Sequence, residues 1–250
     1  MAISIDRVYQ TVLALANKEQ RGYITPQEFN LFANHAQNSI FEQYFYDLNQ
    51  FRRIPGNNTK TSDPRDIIED KISMFRHNAW VSNINAVNEW GDYNLSDSFP
   101  NLYRIDSVVV RYDGQSKHRV AEQIDSRDEF QMMHTSKMYQ HSKSRPVYLK
   151  ASGSTEQHRI KIFPNTGEND NVRISYIKKP TTPKWTYVIV NNKALWNPSA
   201  ADKQDFELHA SEEKNLVIKI LQLAGVSIKD YNLTQIAAQE EIKNIQQEKQ

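Results

Sequence analysis

The sequence contains no cysteine, few glycines and no long apolar run. Among its 250 residues there are no Cys and only seven Gly. A chain without cysteine forms no disulfide and offers no thiolate as a metal ligand or nucleophile. The two closest glycines, Gly153 and Gly167, are too far apart for a phosphate-binding loop, which excludes a Walker loop and a dinucleotide fingerprint. No segment approaches the roughly 18 apolar residues of a membrane span, and the first ten residues do not form a secretory leader. We therefore expect a soluble protein made in the cytoplasm, without a membrane partner.

The charge is nearly balanced overall but unevenly distributed. The chain has 31 basic and 30 acidic residues, and its 10 Phe, 4 Trp and 12 Tyr argue against disorder. Residues 101–190 carry 15 basic and 9 acidic side chains, whereas the segments on either side are slightly acidic. This basic middle segment could contact nucleic acid or an acidic protein. The alternative is that its side chains are solvated on exposed strand faces.

The side chains that could support catalysis do not converge on one place in the sequence. The seven His are scattered, and we expect His134 and His141 to be solvated separately on the surface. The acidic residues at 63–70 lie at one helix start, where the helix dipole favours negative charge, so they do not indicate a two-metal site. No serine has the flanking glycines of a nucleophile elbow. We predict a protein that is not an enzyme, with no catalytic residue, metal site or cofactor.

Three helices are predicted in the first hundred residues. The second has the fullest start signal, because Thr25 can cap it, Pro26 suits its first position and Glu28 completes a capping box. Apolar residues recur at helical spacing in all three segments. The predicted ranges are 5–20, 26–51 and a helix that begins at 64. The pattern from 77 to 100 remains unassigned.

The period then changes from that of helices to that of strands. Strands are predicted at 103–112, 119–124, 145–151, 158–164 and 171–180, with a short helix from Arg127 to about Met138 after the second strand. The last three strands alternate strictly, and one face carries Val147, Leu149, Ile160, Ile162, Val172, Ile174 and Tyr176. Basic side chains recur on the other face. The alternation predicts an antiparallel meander with one buried face and one wet, basic face.

The carboxyl-terminal part returns to helix. After a short apolar run and a polar loop at 185–210, a helix is predicted from 211 to 225. The tail from 233 to 250 is apolar only at Leu233, Ile236, Ile242 and Ile245, so it is either frayed or ordered by a partner. The predicted class is α+β. Its parts are a helical bundle part at 1–100, an antiparallel β domain with an inserted helix at 101–190, and a loop, a C-terminal helix that completes the bundle and an extended tail at 191–250.

The strand trio RPVYLK, IKIFP and VRISYIKKP, followed by a capped amphipathic helix, resembles the β portion of head-tail connector (adaptor) proteins of short-tailed, podovirus-like phages. The opening helices, which end in FEQYFYDLNQF, resemble the helical part of ring proteins in crAss-like phages. The resemblance covers the first 55 residues and 145–225. It implies a ring of twelve copies between the portal and the tail in the neck of the virion, assembled in the host bacterial cytoplasm.

The resemblance also suggests where contacts would lie. Basic strand residues could face passing genomic DNA or acidic neighbours, namely Lys150, Arg159, Lys161 and Arg173. The tail residues Leu233, Ile236, Ile242 and Ile245 could dock on the portal protein, and other neck or tail proteins would be further partners. Two functional hypotheses follow. The first is a virion connector subunit, and the second is a nucleic-acid-binding regulator that uses the basic middle segment.

Overall fold

A computed structural model describes residues 3–18, 24–51, 64–81, 92–95, 99, 101–152, 158–167, 170–228, 239 and 242–243. Its α-helices are α1 (Ile5–Lys18), α2 (Pro26–Phe51), α3 (Pro64–Ser73), α4 (Arg127–Thr135) and α5 (Glu213–Ile228), the last preceded by a 3-10 turn at Ala210–Glu212. Its strands are β1 (Arg76–Val81), β2 (Asp92–Asn94), β3 (Leu102–Arg111), β4 (Arg119–Ile124), β5 (Val147–Ser152), β6 (His158–Phe163), β7 (Asn171–Lys178), β8 (Tyr187–Val190) and β9 (Lys193–Trp196). The chain is therefore α+β, as predicted, and it divides into two units, 1–74 with 180–250, and 75–179.

The first unit is built from α1, α2, α3 and α5. The predicted start of α2 is confirmed, because the Thr25 backbone N–H donates to the Glu28 carboxylate at 2.9 Å and the Glu28 N–H donates to the Thr25 hydroxyl at 3.3 Å. Apolar residues at helical spacing supply the core, including Ile5, Val8, Phe29, Phe41, Leu216 and Ile220. The predicted C-terminal helix thus packs with the amino-terminal ones.

A strap at 180–210 is fastened to α2 by buried amide side chains. Gln37 is fully buried, donates to the Thr181 carbonyl at 2.8 Å and accepts from the Glu207 N–H at 3.1 Å. The Asn30 side chain donates to the Trp185 carbonyl at 3.1 Å and accepts from the Trp185 N–H at 2.8 Å. Because Thr181, Trp185 and Glu207 lie outside the strands of the sheets, their backbone groups need such side-chain partners.

The second unit is a seven-stranded sheet in the order β1-β7-β3-β4-β5-β6-β2. This sheet curls into a half-barrel, and the curvature brings side chains from most of its strands into one core. The shared core includes Tyr93, Leu95, Val108, Val110, Tyr112, Ala121, Tyr148, Ile160, Ile162, Val172 and Ile174. The alternation predicted for β6 and β7 is confirmed for these isoleucines and Val172.

The predicted meander is wrong in its pairing. Of the three strands in the predicted meander, β5 and β6 pair antiparallel with each other, whereas β7 pairs with β1 and β3 instead of β6, and β5 runs parallel to β4. The link between β6 and β7 crosses the end of β3, where the Tyr112 hydroxyl donates to the Pro164 carbonyl at 2.9 Å and Asp170 accepts from the Asp113 N–H at 2.6 Å. These contacts place the start of β7 beside β3. Alternation of apolar and polar residues predicts where each strand lies in the sequence, but it does not predict which strand it pairs with.

The predicted boundaries at 100 and 190 also need correction. Strand β1 falls in the segment assigned to the helical part, yet all six of its residues pair with β7 and so belong to the sheet. At the other end, β8 and β9 form a separate two-stranded sheet in the first unit. The short helix α4 ends at Thr135 rather than Met138, with the Ser136 N–H donating to the Met132 carbonyl. Of the predicted tail residues, Leu233, Ile236 and Ile245 lie outside the described residues, and Ile242 is exposed.

Candidate interaction surfaces

The β8–β9 hairpin, residues 187–196, carries exposed aliphatic side chains of the first unit. Asn191 and Asn192 form its two-residue turn with φ values of 49° and 60°. A two-residue type I′ turn, whose twist matches that of the strands, requires positive φ at both central positions. Asparagine adopts this conformation more readily than most residues. The strands pair from Tyr187 with Trp196 to Val190 with Lys193.

Only the base of this hairpin is packed. There Trp185 stacks against Tyr187 and Trp196, with ring centroids 5.8 and 5.5 Å away. Towards the tip four aliphatic side chains are between 46% and 67% exposed, namely Val188, Ile189, Val190 and Leu195. A two-stranded sheet is barely stable alone in water, and adjoining exposed apolar side chains mark contact surfaces. The hairpin therefore has the properties of a docking element.

Sequence analysis missed this hairpin as a surface. It recognised the apolar run but assigned the residues after it to a polar loop. The available signal was the Asn191–Asn192 pair between two short β-prone segments, which is a hairpin signature.

The structure separates the four predicted basic contacts. By register, Arg159 and Lys161 share the outer face of the sheet with Leu149, whereas Lys150 lies opposite Ile160 and thus on the inner face, where it is exposed. The predicted face of β5 is therefore inverted, because Tyr148 and not Leu149 enters the core. A strict alternation fixes two faces but not which one is buried.

Arg173 also lies on the outer face but away from the others. Three strands separate β7 from β6, a lateral distance of about 19 Å at the usual strand spacing. Its guanidinium stands 5.6 Å from the ring centroid of Trp80, its cross-strand partner on β1. The exposed Trp80 ring is also 5.9 Å from the His118 ring. We call these three residues the Trp80 cluster.

The structure brings together two histidines that were expected to be separate. His134 Nδ1 lies 3.3 Å from His141 Nε2, and the two rings stack at 5.5 Å. Phe130 stacks on both, and Phe163 lies 4.4 Å from Phe130 between ring centroids. Burial, followed by the nearby charge of His134, lowers the pKa of His141. A spacing of seven could not reveal this pair, because the helix ends between the two residues and the chain folds back.

No acid–base constellation occurs in the described surface cavities. A groove of about 620 Å³ in the first unit is lined by α2 and the strap, with Lys184, Asp202 and Lys203 as its charged residues. Lys184 binds Asp202 directly, and this hydrogen bond lowers the pKa of the Asp202 carboxyl, the direction opposite to a general acid. Across the described ranges no three metal-ligating side chains cluster, and none of the helices there has the length and apolar character of a bilayer span.

Comparison with known proteins leaves the family open. No protein-family model matches the chain, and no curated protein matches it in sequence.

Proposed function

We propose that this protein is a virion structural subunit, a connector or adaptor that forms a ring between the portal and the tail of a tailed phage. The observation that carries the proposal is the apolar β8–β9 hairpin. A ring needs a heterologous contact, in which one patch of each copy meets a different patch of the next. A hairpin with four exposed aliphatic side chains suits that role, because in a monomer these side chains stay in contact with water, whereas a neighbouring copy would bury them.

The proposed ring contains twelve copies of the chain. Its other partners are the portal protein and further neck or tail proteins, with the genome passing through the lumen. The tail segment that includes Ile242 would reach the portal, because its sparse apolar residues need a partner to stay helical. The basic outer-face residues Arg159 and Lys161 would face either genomic DNA or acidic neighbours. Only transient DNA contact is compatible with passage of the genome.

Ring formation is tested on the purified protein by light scattering and electron microscopy. We expect closed rings of defined order. The double variant Val188→Ser, Leu195→Ser should shift the population to monomer, because it removes two cross-strand apolar side chains from one face of the proposed contact. Val120→Ser is a matched control, since Val120 is 68% exposed on the sheet of the other unit. Rings that persist unchanged in the double variant would contradict the role of the hairpin.

The place in the virion is tested separately. Mass spectrometry of purified phage particles should detect the protein, and electron microscopy should find its density at the neck. Absence from intact particles would contradict the connector role even if the isolated protein formed rings.

A nucleic-acid-binding regulator is the second candidate, and the Trp80 cluster favours it. An exposed indole flanked by a guanidinium can stack on bases, while basic side chains contact phosphates. Duplex and single-stranded DNA are titrated at several salt concentrations. This candidate predicts binding that weakens with salt and is reduced in Trp80→Ala, whereas Tyr46→Ala, which removes an exposed aromatic ring from α2, binds normally. A flat titration at physiological ionic strength removes it.

A further inference from the structure

The outer face of the sheet carries a small apolar patch that is covered. By register, Ile124, Val147, Leu149 and Phe163 lie on this outer face. Ile124 and Val147 are nevertheless only 3% and 0% exposed, so something other than the main core covers them. The cover is α4 with the segment that follows it, since Phe130 on α4 and His141 after it both lie against Phe163. We call these four outer-face residues the outer patch.

The attachment of this cover is unusually small. None of the residues of α4 is itself buried, so the helix contributes little apolar area to hold it in place. Its observed contact with β6 is the aromatic stack of Phe130 and Phe163, and the helix is joined to the next segment by the His134–His141 contact. A helix of this length does not persist on its own in water. Its docking therefore depends on these ring contacts and on its packing against β4.

The two histidines hold together only while they share one proton. Between His134 Nδ1 and His141 Nε2, at 3.3 Å, one nitrogen must donate and the other must accept. When both rings are protonated, neither facing nitrogen accepts, and two positive charges stand side by side. The contact then changes from a hydrogen bond to a repulsion.

The surroundings do not compensate for a second positive charge. Among the carboxylates of β4, α4 and the link between them, Glu122 binds Arg145 at 3.2 Å and Asp125 accepts from the Gln123 side-chain amide. Asp128 and Glu129 lie about 7 Å or more along the axis of α4 from His134. On β6, Lys161 stands 5.2 Å from the Phe163 ring, and the segment after α4 adds Lys137, Lys143 and Arg145. Among the described residues no carboxylate forms an ion pair with either imidazole.

We propose that His134 and His141 form a proton-controlled clasp that holds α4 over the outer patch at neutral pH and releases it when both imidazoles are protonated. The direction of the effect follows from burial. The folded pKa of His141 lies below its ordinary value of 6.5, so the closed form binds fewer protons than the open form. The clasp is therefore at full strength above pH 6.5 and weakens as the pH falls from 6.5 towards the lowered pKa. Opening exposes the outer patch without unfolding the sheet.

Amide hydrogen exchange of the full chain tests this, at pH 7.5 and 5.0, with EDTA present and with rates corrected for intrinsic exchange. We expect the α4 amides to lose protection at pH 5.0 relative to pH 7.5, because the open form binds more protons than the closed form. The amides of β5 and β6 should keep their protection. Unchanged protection of α4, or an equal loss across the sheet, overturns the proposal.

Three variants assign the effect to the clasp. His134→Gln and His141→Gln cannot acquire a charge in this range, so protection of α4 should lose its pH dependence in both. His118→Gln is the matched control, because His118 is another histidine in ring contact with an aromatic side chain, and it should behave as the unsubstituted chain does. A pH dependence that survives in both clasp variants overturns the proposal.

A measurement on the unsubstituted chain covers the case in which these variants do not fold. The imidazole of His141 is titrated by NMR alongside the amides of α4. We expect its midpoint below 6.5 and the α4 signals to change with the same midpoint. A midpoint at or above 6.5, or α4 signals that do not follow it, overturns the proposal.

Discussion

Single polar side chains decide how the strap at 180–210 is held. Gln37 satisfies one carbonyl and one N–H that would otherwise lack a side-chain partner, and the Glu207 carboxylate accepts from the Thr181 N–H and hydroxyl at 2.8 and 2.9 Å. Such a network has a fixed geometry, because each atom has only one good partner. A buried amide in an otherwise apolar helix stripe is thus a fastening and not a packing defect.

We expect Gln37→Leu to lower the free energy of unfolding by about 2 to 4 kcal/mol, because it leaves two buried backbone groups unsatisfied at about 1 to 3 kcal/mol each. Urea unfolding measures the change. The control is Gln27→Leu, the same substitution at an exposed position of α2, which should change stability by less than about 0.5 kcal/mol. If Gln37→Leu lowered the free energy of unfolding no more than Gln27→Leu does, water would have to take over the hydrogen bonds of the Gln37 side chain, contrary to this prediction.

The secondary elements themselves were largely predictable, whereas their neighbours were not. The start of α2 and the bounds of β4 were predicted correctly because capping boxes and alternation are local signals. The position of β7 beside β3 depends on contacts of Tyr112 and Asp113 with residues more than 50 positions away, which no local pattern records. The inverted face of β5 has a similar cause, because Tyr148 and Leu149 are both apolar enough to enter a core.

The turn of the β8–β9 hairpin gives an element-scale prediction. Asn192→Val should disrupt the hairpin, because a β-branched residue resists the positive φ of 60° at this position. Asn192→Gly should preserve or strengthen it, since glycine is favoured at the second position of this turn. Near-ultraviolet circular dichroism of the Trp185 and Trp196 stack reports the hairpin. Identical spectra in the two variants would contradict this assignment.

At the scale of the whole molecule, one unit is built from two separate segments of the sequence and the other from a single segment. The sheet unit, 75–179, is inserted between two stretches that together make the helical unit. Its ends meet, because the Lys178 N–H donates to the Phe75 carbonyl at 2.9 Å. Sequence analysis placed the boundaries elsewhere because β1 is short and polar and lacks a clear period, so the first strand of the insertion was not recognised.

We expect residues 75–179, expressed alone, to fold, because they contain every strand of the seven-stranded sheet and its core. A cooperative thermal transition followed by circular dichroism is the measurement. Residues 1–74 alone should show no such transition, because α5, which contributes the buried Leu216 and Ile220, is missing. A non-cooperative melt of 75–179 would show that the sheet depends on the helical unit.

The same insertion sets an order of events during synthesis. As the nascent chain leaves the ribosome, α1 to α3 emerge first but must wait for partners that are translated more than a hundred codons later. The sheet can close in the meantime, as soon as β7 has emerged. Ribosome-bound chains arrested after 75–179 have emerged, but before α5 has, should therefore contain a folded sheet and helices α1 to α3 without their packing partners. These first helices are then the part of the chain that a chaperone would bind.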